Sequence, residues 1–204
     1  MPDVTGVILA GGKSRRMGED KRFLTVGTAT LLDRSRSVMT DIFSEVLIVI
    51  AQDSPHLEGK GCRVYRDLIR DCGSLGGLYT GLKLATFDRT FVVACDMPFL
   101  NHAMIRFFLD RDPGADVLMG RLSSGLQPLH ALYGKRALPV LEKMALERHL
   151  RIQDVASDPS LRVTIVEPSA WVHIDPDSRS FQNVNTPEDL VAARSEASRS
   201  PLGR

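Results

Sequence analysis

Gly6-Val7-Ile8-Leu9-Ala10, followed at once by Gly11-Gly12, is the stretch that decides the fold. A short apolar run closed by glycines reads as a buried strand that turns directly into a loop. The same pattern recurs down the chain. Glu45 to Ile50 is almost wholly apolar, as expected of a strand covered on both faces. Cys62 to Tyr65 reads as a short third strand. Thr90 to Cys95 reads as a fourth, ending in Asp96-Met97-Pro98. Helical spacing fills the gaps, over Leu31 to Phe43 and over Gly76 to Ala85. Alternation of this kind predicts a three-layer α/β/α fold, a Rossmann-like and mostly parallel sheet with helices on both faces. Ligands in such sheets bind at the carboxyl ends of the strands. Gly11, Asp67 and Asp96 each follow a strand.

The second half is mixed. Helices are expected over Asn101 to Leu109 and Arg136 to Glu147. Extended segments are expected over Val117 to Gly120, Pro128 to Tyr133 and Arg162 to Glu167. Thr186 as N-cap, Pro187 at the first helical position and then Glu188 and Asp189 start a helix running to Ala197. Residues 1–197 read as one domain, with Ser198 to Arg204 as a disordered polar tail.

The chain has 204 residues, enough for one domain with a substantial core. Hydrophobic residues make up 43% and charged residues 25%, an ordinary globular balance. A net charge of +1 gives no reason to expect nucleic acid or a membrane surface as partner. Phosphate affinity must then come from a local site. The apolar run Val7 to Ala10 is only strand length, not a secretion signal, and no segment nears the roughly 18 residues of a membrane span. Cys62, Cys72 and Cys95 are odd in number and form no CxxC pair, so neither a disulfide framework nor a thiolate zinc site is indicated. A cytoplasmic setting is expected.

Gly11 and Gly12 free the backbone from the Cβ restriction, so exposed N–H groups can curl around phosphate oxygens. Lys13, Arg15, Arg16, Lys21 and Arg22 crowd the same loop. A triphosphate carries about four negative charges, which suits such a loop. The loop is neither GxxxxGK[ST] nor GxGxxG. On glycines and charges alone, a tight turn with solvated cations explains it equally well.

The full stretch is more specific. Leu9-Ala10-Gly11-Gly12-Lys13-Ser14-Arg15-Arg16-Met17-Gly18-Glu19-Asp20-Lys21 resembles the signature loop of the sugar-nucleotidyltransferase-like superfamily, LAxGxxxRMGxxK. Its two-glycine form is similar to that of the molybdenum cofactor guanylyltransferases, the MobA type. Asp67 ahead of Gly73-Ser74-Leu75-Gly76-Gly77 resembles the family's D…GPLxG. Cys95-Asp96-Met97-Pro98-Phe99 is similar to CDxPF, and Gln127 to Tyr133 to QPLHALY. Phe181-Gln182-Asn183-Val184-Asn185-Thr186-Pro187-Glu188-Asp189-Leu190 resembles FxNxNTPEDL. The likeness spans residues 5 to 193. Ser74 replaces the family's proline, and Gln52 stands near a position where the family often has asparagine.

The resemblance implies a nucleotide-diphospho-sugar transferase type of sheet and a set of roles. Leu9, Ala10, Gly11, Gly12, Gln52, Asp67, Gly73 and Gly77 would hold the nucleotide. Arg16 and Lys21 would neutralise charge at the α-phosphate and the departing pyrophosphate. Asp96 would hold Mg2+, the implied cofactor. Asn183 and Asn185 alternate along an extended segment, share one face and would lie by the second substrate and the metal. Position alone leaves each open to a plainer reading: Asp96 and Asp67 as turn residues, Lys21 as a solvated helix start, and the asparagines as caps. Asp71 is a nearby decoy for Asp67. His130 reads as a core histidine or one that supports a site residue, and Arg148 and Arg151 as an exposed helical face, with contact to the pterin phosphate as the alternative.

The implied reaction is GMP transfer from GTP to the terminal phosphate of Mo-molybdopterin. GTP and Mo-molybdopterin are then the substrates, with transient contacts to cofactor-biosynthesis proteins or target molybdoenzymes. The family members that use CTP read LAAG where this chain reads LAGG, so Gly11 carries the choice of base. A cytidylyltransferase, a sugar-phosphate nucleotidyltransferase and a catalytically silent GTP- or cofactor-binding module are the alternatives. The set Arg16, Lys21 and Asp96 argues against silence.

Overall fold

A computed structural model describes residues 3–11 and 20–199. The first strand is β1 (Val4–Leu9), every residue of which is buried. A two-stranded hairpin follows, β2 (Thr25–Val26) and β3 (Ala29–Thr30), and leads into helix α1 (Leu31–Ile42). Thr30 starts α1 by accepting the Asp33 N–H on its hydroxyl. Next come β4 (Val46–Ile50), β5 (Arg63–Arg66), α2 (Gly73–Leu84), β6 (Arg89–Ala94) and α3 (His102–Leu109). The remainder is β7 (Val117–Leu122), β8 (Gly125–Gly134), α4 (Leu138–Leu146), β9 (Val163–Val166) and α5 (Pro187–Arg199).

The sheet has the order β5-β4-β1-β6-β8-β7-β9. Only β8 runs against its neighbours, antiparallel to both β6 and β7. All other pairings are parallel. The chain winds outward from β1 to β4 and β5, then crosses back to β6 on the other side of β1. That reversal opens a crevice at the carboxyl ends of β1 and β6.

Alternation along the strands sorts the core into two layers. Ile8, Ile48, Val93, Leu118 and Leu132 pack beneath α1 and α3. Val7, Leu47, Val49, Val92 and Ala131 pack beneath α2 and α4. This is the expected α/β/α arrangement. A smaller cluster, with Leu24, Val26, Leu31, Val184 and Leu190, fastens the hairpin and α5 to the main body. No helix among the described residues is long and apolar enough to cross a membrane.

Several boundaries differ from expectation, each for a physical reason. α2 takes in Gly73 and Ser74, so most of the glycine-rich segment is helix, not turn. The segment Lys135–Ala137 is a 3-10 turn and the α-helix begins only at Leu138, where Pro139 fits the first turn. Ser198 and Arg199, expected in the disordered tail, complete α5, with Ser198 Oγ bonded to the Arg194 carbonyl at 2.9 Å. Residues 200–204 lie outside the described residues. The start of α5 is as expected. Thr186 Oγ1 accepts the Asp189 N–H, and Asp189 Oδ2 accepts those of Asn185 and Thr186.

β8 contains a break in register, between the pairs Leu118–Leu132 and Gly120–Gln127. Pro128 sits in this bulge, where no ladder N–H is needed. His130 follows at φ 85°, in the left-handed half of backbone space. Its ring is wholly buried and neither nitrogen has a hydrogen-bond partner among the described residues. An unpaired buried donor costs about 1–3 kcal/mol. The rings of Phe91, Phe108 and Phe181, centred 5.1, 5.4 and 4.7 Å away, offset much of that at about 0.5–1.5 kcal/mol each. His130 is thus a core residue, as the sequence reading has it.

Burial holds the His130 imidazole neutral, with its pKa lowered to about 4. The unfolded chain protonates near 6.5, so stability is lost as the pH falls from 6.5 towards 4. Urea denaturation of wild type and His130→Leu across this window should show the wild type losing up to about 3 kcal/mol relative to the variant. A difference independent of pH would show that His130 titrates normally in the fold.

Candidate active site

The crevice at the ends of β1 and β6 is a cleft of about 310 Å3. Its walls come from four parts of the chain: Leu9 to Gly11, Asp20 to Arg22, Ala94 to Asp96, and Asn183 with Asn185; Ser74 and Leu129 complete it. Gly11 is needed for a close approach. A Cβ there would stand 2.9 Å from the backbone nitrogen of Ala51, just past β4. The strand therefore leaves the sheet flush against its neighbour. Ala10 stays in register through its N–H to the Val49 carbonyl at 2.8 Å.

Asp96 lies one residue beyond Cys95, whose N–H still donates to the Leu9 carbonyl at 3.0 Å. Asp96 Oδ2 faces Lys21 Nζ at 3.5 Å, and the same ammonium donates to Asn185 Oδ1 at 2.9 Å. The Asp96 carbonyl accepts the Val184 N–H at 2.9 Å, which pins the Asn183–Asn185 segment over the strand end. Val184 is buried while Asn183 and Asn185 are exposed and line the cleft, as their alternation predicts. The approach to this segment is firmly built. Asp175 accepts the N–H groups of Arg179 and Ser180 at 2.9 Å each, and buried Phe181 packs on His130.

Burial raises the Asp96 pKa, and the Lys21 cation pulls it back. Its second oxygen, Oδ1, is buried with no partner among the described residues. A shielded, unpaired carboxylate oxygen fits a hard divalent cation. No group of three or more His, Cys, Asp or Glu suited to a metal occurs among the described residues. A cation held by Asp96 would find further oxygen ligands in substrate phosphates, water and the neighbouring asparagine amides. Cys95 is no nucleophile, since burial pushes its thiol up to about 12.

A second group sits at the end of β5. The Asp67 N–H donates to the Ile50 carbonyl at 2.9 Å, and its carboxylate lies against α2, where a Cβ on Gly77 would meet Oδ1 at 3.5 Å. Gly77 also abuts Leu9, at 3.2 Å, which links this group to the cleft. Asp67 Oδ1 is buried with no partner among the described residues, and burial raises the carboxyl pKa to about 7. Gln52 does not line the cleft. Its side-chain amide donates to the Asp67 backbone carbonyl and so props that residue. Gly73 is exposed at the start of α2 with φ 53°, and its neighbour Ser74 is the one that reaches the cleft. Asp71 is exposed, and Arg148 reaches its carbonyl from the surface at 3.2 Å.

The structure thus unites Leu9, Ala10, Gly11, Lys21, Asp96, Asn183 and Asn185, and places Gln52, Asp67 and Gly77 beside them. Gly12 and Arg16 lie outside the described residues, as do Lys13 and Arg15. The sequence reading does not single out Asp20, Ser74 or Leu129 as cleft residues, although each sits inside a quoted motif. Gly11→Ala should cost about 1–3 kcal/mol of stability, because the added methyl meets backbone rather than a movable side chain. Thermal denaturation checks this. An unchanged midpoint would mean that Ala51 yields freely.

Comparisons with known proteins agree with this architecture. The profile of the "MobA-like NTP transferase domain" family matches residues 6–158. The chain is 38% identical, over its full length and 98% of the relative, to a probable molybdenum cofactor guanylyltransferase of Pelotomaculum thermopropionicum. It is 34% identical, over 95% of each chain, to a molybdenum cofactor guanylyltransferase of Desulfosudis oleivorans. Its fold matches that of molybdopterin-guanine dinucleotide biosynthesis protein A from Archaeoglobus fulgidus, with a TM-score of 0.81 at 24% identity, covering 97% of this chain and all of that one. The same fold occurs in 2-C-methyl-D-erythritol 4-phosphate cytidylyltransferase of Thermus thermophilus, with a TM-score of 0.70 at 16% identity, covering 96% and 99% of the two chains. The chain belongs to the MobA-like NTP transferase family of nucleotidyltransferases.

Proposed function

We propose that this chain is a molybdenum cofactor guanylyltransferase, moving GMP from GTP to the terminal phosphate of Mo-molybdopterin. The observation that carries the reading is the Lys21–Asp96–Asn185 cluster at the crossing point of the sheet, in a chain whose full-length relatives bear that name. An oxygen of the acceptor phosphate attacks the α-phosphorus, a new P–O–P link forms, and the bond to the β-phosphate breaks to release pyrophosphate. The nucleophile is already anionic, so no strong base is required. Catalysis then rests on alignment and charge neutralisation.

Lys21, held by Asn185, is aimed at that charge, and Arg16 is assigned to the same task from the motif. Mg2+ held by Asp96 together with phosphate oxygens would supply further neutralisation at the α-phosphate. The backbone of Leu9 to Gly12 would take the ribose and phosphates. Asp67 would meet the base, beside the Gly11 signature that marks the choice of GTP. Guanine presents two adjacent donors on its pairing edge, and a buried carboxylate lacking a donor matches them. Cytosine presents one donor beside an acceptor. A trough of about 710 Å3 shares Asn183 and Asn185 with the cleft and is lined by Ser123, Ser124, Gln127 and Gln182. Its amides and hydroxyls suit the donors and acceptors of a pterin ring. The free state of all three cysteines accords with a cytoplasmic setting.

Release of pyrophosphate with Mg2+, Mo-molybdopterin and each of the four NTPs tests the reading. Release with GTP is expected, and release with CTP alone would overturn the base assignment. Asp96→Ala should abolish turnover with the fold intact. Activity that survives in that variant would remove the metal role. Because the Asp67 carboxyl is raised to about 7, it is protonated below neutrality and cannot accept both guanine donors. GTP affinity should therefore rise as the pH passes upward through 7, and Asp67→Asn should flatten that profile. A flat wild-type profile would place the base elsewhere.

A further inference from the structure

The cleft holds a second basic side chain that the reaction scheme leaves unused. Arg22 belongs to the 3-10 turn Lys21–Phe23, beside Lys21, and lines the same cleft as Asp96. Its side chain is only 5% exposed. Asp20 holds one edge of its guanidinium. Nε donates to both carboxylate oxygens, at 2.9 and 3.0 Å, and Nη2 donates to Oδ2 at 2.5 Å. Asp20 also caps the turn by accepting the Arg22 backbone N–H at 3.1 Å. The other edge is unspent. Nη1 is buried and has no acceptor among the described residues.

We propose that Arg22 is a further phosphate-contacting residue of the cleft, with Nη1 donating to a non-bridging oxygen of the nucleotide's triphosphate or of the pyrophosphate product. The assignment rests on the nucleotidyl-transfer reading, but not on the choice of base. A guanidinium can serve two anions at once because its N–H groups fan out in a fixed plane. Asp20 fixes that plane before substrate arrives, so little side-chain freedom is lost on binding. The unpaired Nη1 and the unpaired Asp96 Oδ1 are opposite halves of one demand. The residues that carry the cation-seeking oxygen and the anion-seeking nitrogen line a single cleft, and a triphosphate with its cation satisfies both. Leaving such a charged donor unpaired costs the empty protein stability, and an arriving phosphate oxygen returns it.

Isothermal titration of wild type, Arg22→Gln and Arg22→Lys with GTP, with guanosine and with inorganic pyrophosphate tests this. Arg22→Gln should bind pyrophosphate and GTP about tenfold or more weakly, with guanosine affinity unchanged. Arg22→Lys should recover part of the loss, since an ammonium keeps the charge but cannot fork between Asp20 and a phosphate. Circular dichroism and thermal melting identify any variant that fails to fold. Pyrophosphate binding unaltered in folded Arg22→Gln overturns the proposal. An equal loss for guanosine and GTP also overturns it, because the residue would then be shaping the cleft alone. Failure of the guanylyltransferase reading would look different. The wild type would prefer another NTP, while the pyrophosphate comparison would stand.

Discussion

Asp96 is the point at which distant parts of the chain are tied together. Its carbonyl receives Val184, its carboxylate faces Lys21, and Lys21 reaches on to Asn185. The end of β6, the turn after the first loop and the segment before α5 therefore meet around one acidic side chain. Each tie is modest alone, since a net hydrogen bond contributes about 1 kcal/mol and the Lys21–Asp96 contact is long. Their value lies in geometry. The sheet reverses its winding here, so the strand ends diverge and a cleft opens with its chemistry preset.

The arrangement carries a cost that the rest of the fold absorbs. Asp96 Oδ1 and Asp67 Oδ1 are buried acceptors without donors among the described residues, and burial raises both carboxyls. Two apolar layers and a third small cluster surround the sheet and supply the stability that tolerates them. His130 shows the same economy behind the site. The β8 bulge turns its ring into an aromatic cage against Phe181, and the chain from Phe181 leads to Asn183. The core is thereby coupled to the segment that holds Lys21.

Much of this was legible in the sequence, because the physics was local. Apolar runs bounded by glycine or aspartate marked the parallel strands, and Thr186-Pro187 with Asp189 marked the last helix. The resemblance of five ordered motifs to one family implied that Lys21, Asp96, Asn183 and Asn185 share a site. What escaped was non-local. The β2–β3 hairpin is too short for any periodicity to register. The reversal of β8 depends on which strands pair, not on its own residues. Gln52 reads as a nucleotide contact by position, and the fold adds that its amide also donates to the Asp67 carbonyl. Arg22 reads as one of five loop cations, suited to phosphate or solvated. Only the fold shows that Asp20 draws it inward, leaving one nitrogen without a partner among the described residues.

The claim that Asp96 organises a metal-assisted transfer site is tested most directly by anomalous diffraction. Crystals grown with Mn2+ and a non-hydrolysable GTP analogue should show an anomalous peak within coordination distance of the Asp96 carboxylate and of the nucleotide's phosphate oxygens. A nucleotide bound in the cleft with no peak at Asp96, or with the metal held by other side chains, would contradict the account.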